Sequence, residues 1–432
     1  MATSRRRTRT LAEAKRSLWR GNLGVMMISS GLWRIGGRMT WPFWPLYVLH
    51  LGGTYWHVGI IAAVSSLFSL IPVLLGGYLA DAVGRKKMIW LMSVLMAADT
   101  FIYILAPTWT WLLVVRSLDA VFQGLRQPAF NALLADSTDE ETRAMSYGLW
   151  QAVPPAFGFF SPYIIGVAMD RYGILRAQRW AYVVLMITSG ASALMRFRFL
   201  TETLPPESRA RASALSVIRS TLGDFRETAR SVSRQVWLLV LMGGLIQLGA
   251  SGGTIFMVTY ATEDVIGLSA AEWGLINTAS MIVGMAVSIP FAKMADRYGR
   301  LRPVLASLSL TPLAILGFAY GGGFAQAFAS YVALTALGSM GGVASQALLI
   351  DYSPRAHRGR INALTGVIGA MQSFNLQEGG GSSVISAAGS VTGGFLYGDV
   401  SYASPLLLMA GTVGAAAAIG FAFVREPEQR EV

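Results

Sequence analysis

The sequence predicts an all-α membrane protein with twelve transmembrane helices in two pseudo-symmetric six-helix bundles. Three observations carry that reading. The 432 residues are 53% hydrophobic and only 13% charged, where a soluble domain carries about 25% charged residues. The apolar residues fall into twelve runs, each near the roughly 20 residues a helix needs to cross hydrocarbon. The last six runs repeat features of the first six at a constant spacing.

The chain begins with a basic stretch, residues 1–21, that includes Arg5, Arg6, Arg7, Arg9, Lys15, Arg16 and Arg20. The apolar run behind it continues to Leu49, longer than the roughly 7–15 residues of a secretory leader core, so it is expected to be an uncleaved first span. The N-terminal bundle, residues 22–200, holds spans Asn22–Leu49, Val58–Ala80, Met88–Ala106, Trp109–Leu134, Tyr147–Met169 and Trp180–Leu200. A polar linker follows at 201–235, rich in arginine, with one surface helix expected around Leu215–Ser231. The C-terminal bundle, residues 236–424, holds Val236–Thr262, Trp273–Ala292, Val304–Tyr320, Ala325–Ile350, Ile361–Tyr397 and Ala403–Val424, ahead of a short tail at 425–432. Helices are the form such runs take, because hydrocarbon offers backbone groups no partner. Lys and Arg gather at the termini and in the loops after the even-numbered spans, which predicts that both termini are cytoplasmic, at the plasma membrane.

Composition also excludes functions. The net charge of +12 does not indicate nucleic-acid binding, because the basic residues sit at the ends of apolar runs and not on one polar face. There is no Cys, and His50, His57 and His357 are scattered, so no metal site or cofactor is expected. No phosphate-cradling G-x-x-x-x-G-K-S/T loop and no nucleophile–base constellation occurs, so the protein is not expected to be an enzyme.

The repeat runs at an offset of 215 residues. Asp81-Ala-Val-Gly84-Arg85 returns as Asp296-Arg-Tyr-Gly299-Arg300, and Gly52-Gly-Thr54 as Gly267-Leu-Ser269. Gly59 returns as Gly274, Ala132–Asp136 as Ala347–Asp351, and Arg143 as Arg358. Two halves of like orientation imply a two-fold axis along the membrane normal, with a site near the midplane between them. The register breaks in the eleventh span, where about 13 extra residues lie in Met371–Ser383, including the polar run Gln377-Glu-Gly-Gly-Gly-Ser-Ser383. A broken helix, a re-entrant turn and an excursion from the membrane all fit that run.

Between the second and third spans lies Gly77-Tyr-Leu-Ala-Asp-Ala-Val-Gly-Arg-Lys-Lys87. It resembles the signature loop between helices 2 and 3 of the major facilitator superfamily, with Gly77, Leu79, Ala80, Asp81, Gly84, Arg85 and Lys86 matching and Ala82 departing. The fourth span carries Arg116-x-x-Asp119-x-x-x-Gln123-Gly124-x-Arg126-Gln127-Pro128, which resembles that family's helix-4 motif. Arg116 aligns with the motif Arg, and Ala120 stands where a Gly is usual. Pro154, Pro155, Gly158, Pro162 and Gly166 loosely resemble the Gly-Pro helix of family exporters, with Ser161 and Ile165 in place of glycines. The resemblance implies the two-bundle facilitator fold and alternating access by rocking of the halves. It also implies gating roles for Gly77, Asp81, Gly84, Arg85 and Lys86 and for their counterparts Asp296, Gly299 and Arg300. The loop bonds are expected to stabilise the outward-facing state and to break as it opens inward.

Spacings of 3, 4 and 3 put Arg116, Asp119, Gln123 and Arg126 on one helical face, and charge in a span is expected to face protein or water. Arg34 and Arg38 lie one turn apart on the first span, and equal depth predicts an Arg38–Asp119 pair. The substrate pathway is assigned to Arg34, Arg38, Asp119, Gln123, Arg126 and Gln247. The surplus of arginine favours a solute with an anionic group, because guanidinium binds carboxylate or phosphate bidentately. Asp99 and Arg116 lie at similar depth, which fits either a structural ion pair or a proton-carrying Asp99. With Asp119 and Glu378 they make up the candidates for proton coupling. The expected function is secondary active transport of a small organic solute by alternating access, coupled to a proton gradient, in a monomer whose other partner is the bilayer. Proton-coupled export of multiple lipophilic drugs is the alternative, and a non-transporting membrane sensor or scaffold is a reading of another class.

Overall fold

A computed structural model describes residues 21–138, 143–205, 233–352 and 383–426. The basic N-terminal stretch, most of the linker with its expected helix, Arg358, Glu378 and the glycine-rich run through Ser382 lie outside the described residues. The described chain is helical throughout, in twelve passes. The first half holds α1 (Asn22–Thr40, continued past a tight turn by Trp44–His50), α2 (Tyr55–Val83), α3 (Arg85–Leu105) and α4 (Trp109–Asp136), then α5 (Arg143–Ala156 and Ser161–Tyr172) and α6 (Ile174–Phe199). The second half holds α7 (Arg234–Gly253, continued to Asp264), α8 (Ala270–Tyr298), α9 (Leu301–Ala319), α10 (Phe324–Tyr352), α11 (Val384–Phe395, continued to Val400) and α12 (Ser404–Phe423). Among the described residues nine of these passes are long and apolar enough to cross a membrane. Their outer faces expose large apolar side chains such as Ile187, Leu194 and Ile289, as hydrocarbon requires.

The repeat read from sequence is physical. Gly52 and Gly267 turn the chain with φ of 79° and 75° before α2 and α8. Each turn then caps its helix by the same device. Thr54 N donates to His57 Nδ1 at 3.0 Å, and Ser269 N donates to Glu272 Oε2 at 2.8 Å. Such reciprocal caps satisfy orphan donors at a helix start. Gly84 and Gly299, with φ of 106° and 92°, turn the chain again into α3 and α9.

At this second turn the two halves build matching clusters. Arg85 pairs with Asp136 at the end of α4, and Arg300 pairs with Asp351 at 2.5 Å and donates to Ala347 O. Glu202 accepts from Lys86 N at the start of α3, and Glu426 accepts from Arg300 N and Leu301 N at the start of α9. A carboxylate there meets unpaired N–H groups and the positive end of the helix dipole. Asp81 sits 3.7 Å from Arg85, whereas Asp296 is exposed.

Two glycine-lined crossings join the halves, both near the Thr54 and Ser269 turns. At Gly59 of α2 an added Cβ would lie 2.5 Å from Ser390 O and 3.1 Å from Gly394 of α11. Gly274 of α8 faces Pro162 O, and Gly166 of α5 faces Ala270 O, closely enough that neither tolerates a Cβ without movement. Among the described residues the extensive packing between halves is α2 on α11 and α5 on α8, so the bundle is sealed at this end. The loop ion pairs at the opposite end are each internal to one half. Arg85 and Arg300 thus brace helices within one half.

A substitution test separates close approach from helix propensity. Gly274→Ala is expected to lower the thermal unfolding midpoint, because overpacking costs about 1–3 kcal/mol. Gly190→Ala, where a Cβ meets open space, is expected to leave the midpoint unchanged or raise it. Differential scanning of the purified variants checks both.

Candidate substrate pathway and gate

Helices α1, α3, α4 and α6 bury an unusual amount of charge. Asp99 of α3 is 7% exposed, and its Oδ2 has no hydrogen-bond partner. Asp119 of α4 is half-buried and acts on Asp99 electrostatically, so two carboxyl groups share one interior. The cations acting on Asp119 are Arg116 and Arg126. Arg116 does not pair with Asp99. Its guanidinium lies 4.2 Å from the centroid of Trp41 and 5.1 Å from that of Trp44. Stacking over desolvated indoles stabilises a cation by about 2 kcal/mol, which explains why the aromatic wall wins it from the carboxylate.

Among the described residues no ion pair joins Arg38 to Asp119 either. The Arg38 side chain lies under Gly158 in the break of α5, near enough to Tyr331 of α10 to act on it across the seam between the halves. The pairing expected from depth fails because depth says nothing about rotation around the helix axis. Arg34 and Arg38 both make further interactions and are half-buried on α1. Arg126 is 6% exposed, bonds Gln123 Oε1 on its own helix and reaches Ser93 Oγ of α3 at 3.5 Å. Gln247 is buried, and its amide donates to Ser386 Oγ of α11 at 2.6 Å, so it fastens α7 to α11.

Sequence reasoning missed one interior cation, Arg196 of α6. With Arg198 it reads as part of the basic end of a span, yet it is 2% exposed and donates to Ser29, Ser30 and Ser93. The helical phase of Arg196 against Ser189 and Ser192, both buried, is the signal that could have found it.

The sealed end carries a polar latch that sequence reasoning also missed. Asp264, at the end of α7, accepts from Tyr55 Oη of α2 at 2.6 Å and from Tyr397 Oη of α11 at 2.7 Å. It thus ties the halves together where α2 meets α11. Widened five-residue π turns at Tyr260–Asp264 and Leu396–Val400 aim the carboxylate and one phenol inward, and such turns often mark functional positions. Tyr55 and Tyr397 meet edge to face at 4.8 Å, and Phe256 stacks on Tyr397 at 4.7 Å, which screens the bonds from water. On the other crossing Asp170 of α5 accepts from Ala270 N and Ala271 N of α8, both at 2.9 Å. Above the seam a cavity of about 370 Å³ is lined by His50, Asp170, Glu263 and Ser269 among others.

The model of the Major Facilitator Superfamily matches residues 26–374 and 240–432. The chain belongs to that family. It is a multi-pass membrane transporter and not an enzyme. Its relatives include the uncharacterized MFS-type transporter YqjV of Bacillus subtilis, 25% identical over 64% of this chain and 65% of that protein. The multidrug resistance protein MdtG of Proteus mirabilis is 26% identical over 68% of this chain and 71% of that protein. The chain thus spans about two thirds of the length of these relatives. Among solved structures the nucleoside transporter NupG aligns with a TM-score of 0.71 at 13% identity, covering 94% of this chain and 100% of that one. The human organic anion transporter MFSD10 aligns with a TM-score of 0.65 at 15% identity, covering 94% and 99%. At such identities the structures establish the fold alone, and with it two six-helix halves.

The latch yields a measurable prediction. Asp264→Ala removes the acceptor of one inter-half bond, from Tyr55, and of one bond within the second half, from Tyr397, each to a charged group and worth about 1.5–3 kcal/mol. The sealed conformation is then expected to lose population. A single cysteine placed at Ser390 in the α2–α11 seam should react faster with a membrane-impermeant maleimide in the Asp264→Ala background. An unchanged labelling rate would remove the latch from the gate.

Proposed function

We propose that this transporter moves a small organic solute by alternating access, as a monomer, using protons carried by Asp99 and Asp119. The observation that carries the reading is the pair itself: two carboxyls in one buried interior, with Asp99 Oδ2 unpartnered and Arg116 drawn away onto Trp41 and Trp44. A carboxyl held that way is not committed to a structural ion pair, so its charge is free to change as access alternates. Arg34 and Arg38 of α1, with Arg126 behind them, give the interior of the N-terminal half a surplus of arginines over carboxylates among the described residues. That surplus favours a solute bearing a carboxylate or phosphate. A second reading, export of diverse lipophilic compounds, is favoured by the likeness to relatives named multidrug resistance protein MdtG.

The surroundings fit the plasma membrane with both termini in the cytoplasm. The Arg85, Lys86, Lys87 and Arg300 clusters lie at the end of the chain termini, as the distribution of basic residues demands. On that orientation the Tyr55–Asp264–Tyr397 latch is external and the conformation described is closed to the outside. The protein has no cysteine, so single replacements report topology without background. Ser401→Cys, exposed near the latch, is expected to label from outside intact cells, and Lys87→Cys, exposed at the opposite end, only after permeabilisation.

Reconstituted vesicles test the coupling. With Asp99→Asn the imposed pH gradient is expected to lose its effect on solute accumulation while downhill exchange persists. Gradient-driven accumulation equal to the parent would assign the proton elsewhere. Competition by organic anions, lost in Arg38→Gln, supports the anionic class; competition by lipophilic cations, unaffected by that change, supports drug export.

A further inference from the structure

Arg126 and Arg196 meet inside the N-terminal bundle, where α1, α3, α4 and α6 come together, and both are more than nine-tenths buried. They share a single acceptor. Ser93 Oγ receives Arg196 at 2.6 Å and Arg126 at 3.5 Å. Arg196 also donates to Ser29 Oγ at 3.1 Å and Ser30 Oγ at 3.2 Å, and Arg126 to Gln123 Oε1. Among the described residues no carboxylate bonds either guanidinium. Asp119 acts on Arg126 at a distance, while among the described residues the charge acting on Arg196 is that of Arg126. Two enclosed like charges on one serine are repulsive, and arginine cannot relieve this by losing its proton.

The remaining hydrogen-bonding capacity has one sign. Ser93 and Ser29 send their own hydrogens to Ile89 O and Met26 O, so their lone pairs are what face the arginines. Arg196 uses three of the five N–H donors a guanidinium carries, and Arg126 Nε is buried with no partner. What is left over is N–H groups and the Ser30 hydroxyl, all donors. A ligand completing the cluster must accept from every side and carry negative charge.

We infer that Arg126 and Arg196, with Ser30, hold a small inorganic anion of halide size inside the N-terminal bundle. Four helices enclose the cluster, which excludes the bulk of an organic solute. The site is structural and electrostatic: it offsets the interior cations and lets α6 pack against α1 and α3. It borders the proposed solute pathway through Arg126, but its ligand is inorganic and Arg196 is not assigned to that pathway.

The test uses purified full-length protein exchanged into gluconate and titrated with chloride, then bromide, at constant ionic strength. The thermal midpoint of the parent is expected to rise and saturate with either halide. Arg196→Gln is expected to be more stable than the parent in gluconate and to ignore halide. If that variant does not fold, Ser30→Ala serves in its place; losing one donor there should raise the half-saturating concentration by about threefold or more. A parent midpoint that ignores halide, or rises without saturating, overturns the inference. So does a saturating response retained unchanged in Arg196→Gln, or in Ser30→Ala. No solute is involved, so failure here leaves the transport reading untouched, and failure of that reading leaves the anion site standing.

Discussion

Everything in this molecule answers to one constraint: hydrocarbon has nothing to offer a polar group. Each backbone N–H and C=O in a span must close its own helix, and each side-chain charge must find company inside the protein. The outer surface is therefore given to residues such as Ile187 and Ile289, and polar chemistry concentrates where helices face one another. Interior pairing is then a competition among the partners present. Trp41 and Trp44 take Arg116, three serines take Arg196, and Asp99 is left with one oxygen unpartnered. Among the described residues the buried charges Asp99, Arg126 and Arg196 all lie in the first half.

The two halves meet through backbone more than through side chains. Gly59, Gly166, Gly274 and Gly394 remove the side-chain layer at the crossings, so main-chain atoms of opposite halves touch. Without an apolar drive between helices in lipid, such close contact and hydrogen bonds across it are what hold helices together. The bond from Tyr55 to Asp264 and those from α8 to Asp170 supply the hydrogen bonds. The seal is thus made of many small van der Waals contacts plus a few directional bonds, a construction that can separate and re-form.

Much of the fold was legible in the sequence because its signals are local or periodic. Run length gave the twelve passes, and the offset of 215 placed Gly59 opposite the same kind of crossing as Gly274, a match the coordinates bear out. The loop signature named Arg85, Lys86 and Arg300, but their partners, Asp136, Asp351, Glu202 and Glu426, come from distant helix ends. Depth along a span was readable and rotation about it was not, so the expected Arg38–Asp119 pair is not formed, and of the two readings left open for Asp99 the pair with Arg116 is the one not seen. The latch escaped notice for a different reason. Tyr55, Asp264 and Tyr397 come from three separate helices, and two are aimed by π turns that leave no mark in hydropathy.

The break in α5 carries a mechanical consequence. Arg143–Ala156 packs against α1 of its own half, whereas Ser161–Tyr172 has its chief contact with α8 of the other half. One polypeptide segment therefore belongs to both rigid bodies, and Pro154 to Phe160, where the helical ladder is interrupted, is the joint between them. When the halves rock, this short stretch must absorb the rotation or the α5–α8 seal must part. Arg38 lies against Gly158 at that joint, so the position of its side chain and the bending of the backbone there are sterically tied.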